Sequence, residues 1–251
     1  MDIYREMLRW WDYWLKGIDN GLAEELESQP VQTFVREWEP PHPGRTDIAG
    51  EWRGAKALPP QPVMPAPTLQ LSAGGDGELK AGPPRAASGS DAVAFRPGAC
   101  LNGGVWDAGG SPPAIPGPQN RDETAAINFT SSPLEEELFI LGIPTFSLTV
   151  SFDGFEPGAM EVAAVAVRLC EVGTDGTSVL VSKGLLNATR RESMAEPKPL
   201  PSQGTTMLLQ FHLEGTCWRF AEGHRLRLSI NGSDFPNVSD DVESFLGLPC
   251  G

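Results

Sequence analysis

The segment Phe146-Ser147-Leu148-Thr149-Val150-Ser151-Phe152 alternates strictly between apolar and small polar side chains. Successive side chains of a strand point to opposite faces of a sheet, so this pattern predicts a strand with one buried face. The same alternation returns in 209–213 and 225–230, and the apolar stretch 162–169 predicts a central strand. Asp175-Gly176 is typical of a turn between strands. Short strands without intervening helices predict a mostly β protein, an antiparallel sandwich or jelly roll.

The composition indicates a chain that turns often. It has 251 residues, among them 28 glycines and 24 prolines, which is incompatible with a mostly helical protein. The length suits one large β domain or two small ones. The Pro-rich stretch 30–67 is irregular, with a short strand predicted near 31–35. The segment 72–124, rich in Gly, Ala, Pro and Ser, is predicted to form surface loops.

The N-terminal segment contains the one helix that the pattern predicts. Ile3, Met7, Trp10 and Trp14 recur at i, i+4, i+7 and i+11. Further apolar positions widen this stripe, namely Leu8, Trp11, Leu15 and Ile18. Lys16-Gly17 is typical of a helix C-terminus. Three tryptophans on one amphipathic helix need a large covering surface, which indicates a partner.

The net charge of −14 and the pI of about 4.6 exclude several classes of partner. Nucleic acids and anionic membrane surfaces require clusters of Lys and Arg, and the sequence has none. Apolar runs are too short to span a bilayer, and charges interrupt 1–17 throughout, unlike a signal peptide. We therefore expect a soluble protein, cytoplasmic rather than secreted, that binds neither nucleic acid nor membrane and needs no cofactor.

Neither the cysteines nor the acidic residues predict a metal site. The cysteines stand at positions 100, 170, 217 and 250 without a C-x-x-C pair, so three disulfide pairings and free buried thiols all stay open. The three histidines are not near a cysteine pair, which argues against zinc. Asp234, Asp240 and Asp241 are interpreted as solvated loop residues rather than as calcium ligands.

The sequence offers little catalytic chemistry. The nucleophile elbow G-x-S-x-G of an α/β-hydrolase does not occur. His42 lies in a Pro-rich loop, and His212 lies on the polar side of a predicted strand. One local trio, His224 with Ser233 and Asp234, provides a hypothesis of an autonomous hydrolase. A structural role for His224 at the entry of a strand is the stronger interpretation.

Four stretches resemble, in order, one family of serine hydrolases. They are 8–17 (LRWWDYWLKG), 50–53 (GEWR) before Pro59-Pro60, 129–134 (FTSSPL) with 141–144 (LGIP), and 223–228 (GHRLRL) with 234–236 (DFP). Together they resemble the C-terminal part of X-prolyl dipeptidyl-peptidases and cocaine esterases. The stretch 117–121 (GPQNR) departs from the family's "G-P-x-D-Q-R" pattern.

The resemblance implies an α/β-hydrolase domain with a Ser-Asp-His triad, followed by a jelly roll of the galactose-binding-like type. The triad would lie upstream of Met1, so no catalytic residue is carried over and the chain is predicted inactive alone. Residues 1–25 would form the last helix of the missing α/β-hydrolase domain, and 26–251 the sandwich. Relatives continue beyond the position of Gly251, so a C-terminal truncation is expected.

The resemblance also suggests roles for individual tryptophans. Trp10, Trp11 and Trp14 are candidates for the interface with the catalytic domain. Trp106 either plugs one end of the sandwich or lines a ligand pocket, and in cocaine-esterase-like relatives the loop corresponding to 103–121 helps to form the substrate pocket. The parent substrate, peptide or ester, stays open.

The alternative to a non-catalytic domain of a serine hydrolase is a free-standing carbohydrate- or ligand-binding jelly roll. Its candidate contacts are Asn102, Trp106 and Asp107.

Overall fold

The computed structural model describes residues 3–42, 47–56, 71–73, 76–83, 91–93, 100–104, 116–153, 163–234 and 237. The helices are α1 (Ile3–Lys16), α2 (Leu22–Ser28) and α3 (Asn120–Glu123), with a 3-10 turn at Ala188–Arg190. The strands are β1 (Val31–Glu37), β2 (Gly50–Ala55), β3 (Leu71–Ala73), β4 (Leu79–Ala81), β5 (Ile127–Thr130), β6 (Leu138–Gly142), β7 (Thr145–Val150), β8 (Ala164–Val172), β9 (Ser178–Asn187), β10 (Met207–His212), β11 (Thr216–Phe220) and β12 (Arg225–Asn231). The chain is mostly β, as predicted.

One sheet of four antiparallel strands has the order β5-β12-β8-β9. Its central strand β8 is buried along its whole length. Val165, Val167 and Leu169 belong to the hydrophobic core, whereas the alternate positions, among them Arg168, lie on the opposite face of the sheet. Loops cover this opposite face, and one of the candidate sites lies on it.

The other strands form a second sheet of order β2-β1-β11-β6 and two strand pairs, β7 with β10 and β3 with β4. The core joins β8 and β12 to β11, β10 and β7, and its fully buried members include Trp218, Phe220 and Leu209. Each such side chain contributes roughly 1.5–3 kcal/mol by leaving water. Among the strand pairs that the structure describes, β1 with β11 is parallel and the others are antiparallel.

The strands predicted from alternation are confirmed. In β7 Phe146 is buried and Ser147 is exposed, and in β12 Leu226 and Ile230 are buried. The strand predicted near 31–35 is β1, and α1 ends at Lys16, where Gly17 takes the left-handed φ of +66°.

The structure contains elements that the sequence did not predict, among them α2, β2 and β11. The helix α2 was not predicted, because its sequence LAEELES is short and acidic and has no long apolar stripe. The predicted domain boundary at 25/26 lies inside it. The assignment of 72–124 to surface loops was wrong for part of the described chain, because Cys100, Gln119 and Asp122 are buried. Their burial reflects hydrogen bonds to β8 and its neighbours, which local composition does not reveal.

Candidate functional site

The first candidate surface is the apolar stripe of α1. Trp10, Trp11 and Trp14 are 41%, 49% and 55% exposed, and no described residue of this helix is buried. The rings of Trp10 and Trp14 contact each other, with centroids 5.8 Å apart. An aromatic stripe of this size, which no described residue covers, is typical of a surface that binds another protein.

Polar contacts hold α1 against α2. Arg9 Nη2 donates a hydrogen bond to Glu25 Oε2 at 2.5 Å, and Arg9 Nε donates to Glu6 Oε2 at 3.0 Å. The Asn20 side chain donates to the backbone oxygen of Arg9 at 2.7 Å. The helix is therefore attached to the rest of the chain through its polar side, and its apolar stripe is left uncovered.

The second candidate lies on the loop-covered face of the four-stranded sheet. Lys183, Arg168, Ser229 and Asn128 stand directly opposite one another on β9, β8, β12 and β5. Cross-strand partners of an antiparallel sheet share a face. These four residues therefore form a line of polar side chains across the sheet, which we call the polar row.

A loop base lies over the polar row. We use this name for residues 102–104 and 117–122, which flank the segment 105–115. The backbone oxygen of Asn102 accepts hydrogen bonds from Gly117 N at 3.0 Å and from Gln119 Nε2 at 2.6 Å. Gln119 Nε2 also donates to the backbone oxygen of Gly117 at 2.8 Å. The two sides of the loop base are thus joined by hydrogen bonds to the backbone oxygen of Asn102.

Arg168 connects the loop base to the sheet. Its side chain is 1% exposed, and Nη1 donates to Gln119 Oε1 at 3.1 Å and to Asp122 Oδ2 at 3.3 Å. Asp122 in turn accepts from the backbone and side-chain nitrogens of Asn102, at 2.8 and 3.2 Å. The buried ion pair therefore fixes both Asn102 and Gln119.

Lys183 makes the corresponding contact one strand away. Its Nζ donates to the backbone oxygens of Gly103 and Gly104 at 3.1 and 3.2 Å, and to Asp234 Oδ2 at 3.3 Å. Asn237 Nδ2 donates to the same Asp234 oxygen and to the Gly104 oxygen. Residues 103 and 104 are consequently held by a second buried cation.

Burying the polar groups of the polar row and the loop base costs free energy of folding. Within the described part of the chain, six of its buried side-chain atoms have no hydrogen-bond partner: Arg168 Nε, Arg168 Nη2, Ser229 Oγ, Asn128 Oδ1, Asn231 Nδ2 and Asp234 Oδ1. Each buried unpaired group costs about 1–3 kcal/mol. Stability alone does not explain why so many polar groups are buried here.

His224 makes structural contacts and is not part of a catalytic triad. Its Nδ1 donates to Glu171 Oε1 at 2.8 Å, and its ring packs edge-on against Trp38. Glu171 also accepts from Trp218 Nε1 at 2.6 Å, and burial raises the pKa of this carboxyl. Asp234 contacts Lys183 instead of His224, so the trio of His224, Ser233 and Asp234 does not form a charge-relay arrangement.

The described cysteines are free thiols. Burial raises the pKa of Cys100 to about 11 and that of Cys170 to about 12, whereas Cys217 is half-buried. The Cys100 thiol donates to the backbone oxygen of Ser233 at 3.1 Å. Among the described residues, no cluster of His, Cys, Asp and Glu is arranged to hold a metal ion. The helices described here are also too short or too polar to cross a membrane.

Several predicted site residues lie outside the described residues. They are Trp106, Asp107, Asp240, Asp241 and Cys250. Asn102 is described, and its side-chain nitrogen and backbone oxygen contact Asp122, Gln119 and Gly117.

Sequence reasoning missed Arg168, Lys183 and Asp122. A signal was present, because a cation inside an otherwise apolar strand such as 164–172 is rarely buried without a specific partner.

The fold and these surfaces define a β-sandwich accessory domain without a nucleophile elbow. The chain belongs to the X-Pro dipeptidyl-peptidase C-terminal non-catalytic domain family, whose profile matches residues 27–240. A candidate serine esterase of Mycobacterium bovis is 26% identical over 91% of this chain. The chain spans 36% of that relative's length.

Solved structures show the same fold. An α-amino acid ester hydrolase matches 74% of this chain with 22% identity and a TM-score of 0.57. An aminopeptidase from a marine sediment Thaumarchaeota archaeon matches 94% with 19% identity and a TM-score of 0.66. A CocE/NonD family hydrolase from Staphylococcus aureus matches 95% with 15% identity and a TM-score of 0.56. The matched part is 32%, 37% and 39% of those three chains, respectively.

Proposed function

We propose that this chain acts as the non-catalytic β-sandwich of a serine hydrolase, packs on an α/β catalytic domain and helps to shape its substrate pocket. The observation that carries the proposal is the uncovered tryptophan stripe of α1, held in place from its polar side by the contact between Arg9 and Glu25. In this proposal residues 1–25 belong structurally to the catalytic domain, and 26–251 form the sandwich.

The covering partner is an α/β-hydrolase domain. Burying the three tryptophans contributes several kcal/mol to association, because large aromatic side chains supply most of the binding energy in protein interfaces. The relatives support this partner, since they include a candidate serine esterase, an ester hydrolase and an aminopeptidase, and the chain spans only a minor share of each.

The role in the substrate pocket concerns Trp106 and the segment between the two sides of the loop base. The Arg168–Asp122 ion pair and the hydrogen bonds of Lys183 to Gly103 and Gly104 anchor that base to the sheet, which is how a rigid scaffold presents a binding loop. We propose that Trp106 faces the substrate in the complete enzyme, whose substrate is an ester or a peptide. Trp106→Ala in such an enzyme should raise KM, and unchanged KM and kcat would contradict the pocket role.

Self-association of the chain provides a direct test of the interface. We expect sedimentation velocity to show concentration-dependent association, relieved in the variant W10Q/W11Q/W14Q. Because none of these side chains is buried, the variant should keep the melting temperature of the wild type. The matched control is Trp52→Gln, which changes a tryptophan of β2 that is also exposed. A wild-type chain that stays monomeric at all concentrations would argue against the interface.

A further inference from the structure

We infer that Lys183 and Arg168 are positioning residues, forming a two-cation clamp that fixes the loop base at its two sides. This inference rests on the proposed role of the neighbouring segment in the substrate pocket, and it names the residues that set the position of that segment. Both residues lie on the covered face of the sheet, directly opposite each other on β9 and β8.

The two cations contact different parts of the loop base directly. Lys183 Nζ reaches the backbone oxygens of Gly103 and Gly104. Arg168 reaches Gln119 and Asp122, and through Asp122 it also holds Asn102. The hydrogen bond from Gly117 N to Asn102 O joins the two parts. The geometry therefore fixes residues 102–104 and 117–122 to the strand pair of β8 and β9.

The chemistry of the clamp is better suited to positioning than to stabilisation. A buried ion pair contributes little net stability compared with an apolar pair of similar volume. Among the described residues, two nitrogens of Arg168 and one oxygen of Asp234 have no hydrogen-bond partner. Directional contacts to carbonyl oxygens, in contrast, define where a backbone lies.

The contacts of Lys183 with the loop base are made to backbone atoms. Lys183 binds backbone oxygens of residues 103 and 104, and the Asn102–Gly117 contact is also between backbone atoms. The positions themselves favour glycine, because Gly104 takes the left-handed φ of +70° and a Cβ on Gly103 would lie 3.1 Å from Asp234 Oδ1. The contacts therefore define where the backbone of 103 and 104 lies.

Amide hydrogen exchange in the full chain tests the clamp. In Lys183→Met we expect the amides of Gly103 and Gly117 to exchange about tenfold faster or more, because they lose local protection. The control is Lys198→Met, which removes an exposed lysine that pairs with Glu192. Unchanged protection at both amides in Lys183→Met would overturn the inference.

A second variant separates positioning from folding. If Lys183→Met destabilises the whole chain, K183M/D234N removes the buried charge left behind and should restore the cooperative melt. The faster exchange at Gly103 and Gly117 should persist, because their anchoring cation is still absent. If K183M/D234N restored wild-type protection as well, Lys183 would have no positioning role.

Kinetic measurements separate two claims: that Lys183 positions the loop base, and that the neighbouring segment helps to form the substrate pocket. In an enzyme whose sandwich domain is this chain, fused behind a relative's catalytic domain, Lys183→Met should raise KM about tenfold with kcat within about twofold. Lys198→Met should change neither constant. Faster exchange with an unchanged KM would uphold the clamp and refute the proposed pocket role, whereas unchanged exchange would refute the clamp itself.

Discussion

The guanidinium of Arg9 binds the carboxylate of Glu25 at 2.5 Å and so attaches α1 to α2 through the polar side of the helix. In a surface helix of an ordinary globular protein the apolar stripe faces the core and the polar face meets water. Here the polar face makes the internal contact and the tryptophans are left exposed. This inverted arrangement is the structural basis for proposing a protein partner at α1.

The first prediction concerns that attachment. Arg9→Met should loosen α1 while leaving the sandwich intact, because the contact is partly exposed and is the main polar link to α2. The loss in the free energy of unfolding should not exceed about 1 kcal/mol, as is usual for such pairs. Amide exchange should accelerate in α1 alone. Lys16→Met, which removes an ion pair inside α1 with Asp12, serves as the control and should leave the exchange of α1 close to that of the wild type.

The second prediction concerns the buried pair of Arg168 and Asp122. Removing one partner, as in Arg168→Met, should lower the free energy of unfolding by about 3–5 kcal/mol, because a charge stays buried without its partner. The double variant R168M/D122L should recover most of this loss. Urea denaturation of the two single variants and the double variant measures the coupling. Additive losses would contradict the pairing of these two residues.

The third prediction concerns the thiols. In a Cys250→Ser background, a thiol-reactive probe at pH 8 should label Cys217 in the folded chain and leave Cys100 and Cys170 unmodified, because both are buried. Denaturation should expose all three. Rapid labelling of Cys170 under native conditions would be inconsistent with its position on β8.

The fourth prediction is a loss of stability at alkaline pH. Burial raises the folded pKa of Cys170 from 9.0 to about 12, so its contribution is complete below pH 9 and is lost as the pH rises above that value. Each pH unit above 9 should cost about 1.4 kcal/mol for this thiol. Urea unfolding of the wild type and of Cys170→Ala at pH 8 and 10.5 should show the steeper loss in the wild type. Equal losses would contradict the burial of this thiol.

The strands and the first helix could be predicted from sequence because their signals are local. Alternation at Phe146–Phe152 and the heptad-like spacing of Trp10 and Trp14 depend on neighbours within a few residues. The parallel contact between β1 and β11 could not be found in this way, because Arg36 and its partner Trp218 are far apart in the chain.

The loop base was hidden from sequence for the same reason. Lys183 lies 80 positions from Gly103, and Arg168 lies 49 positions from Gln119. The composition of 72–124 predicts surface loops, and it does not show that hydrogen bonds bury Gln119 and Asp122. A buried polar cluster is specified by contacts across the sheet, and no short window of sequence contains them.

Direct titration of a catalytic domain with this chain tests the central claim. The probe is the separately expressed part of the Mycobacterium bovis relative that this chain does not match, with binding measured by isothermal calorimetry. We predict saturable one-to-one binding by the wild type and by Trp52→Gln, and a Kd at least about 100-fold higher for W10Q/W11Q/W14Q. Equal binding by the wild type and the triple variant, or no binding by any of them, would contradict the assignment of α1 as the surface that meets the catalytic domain.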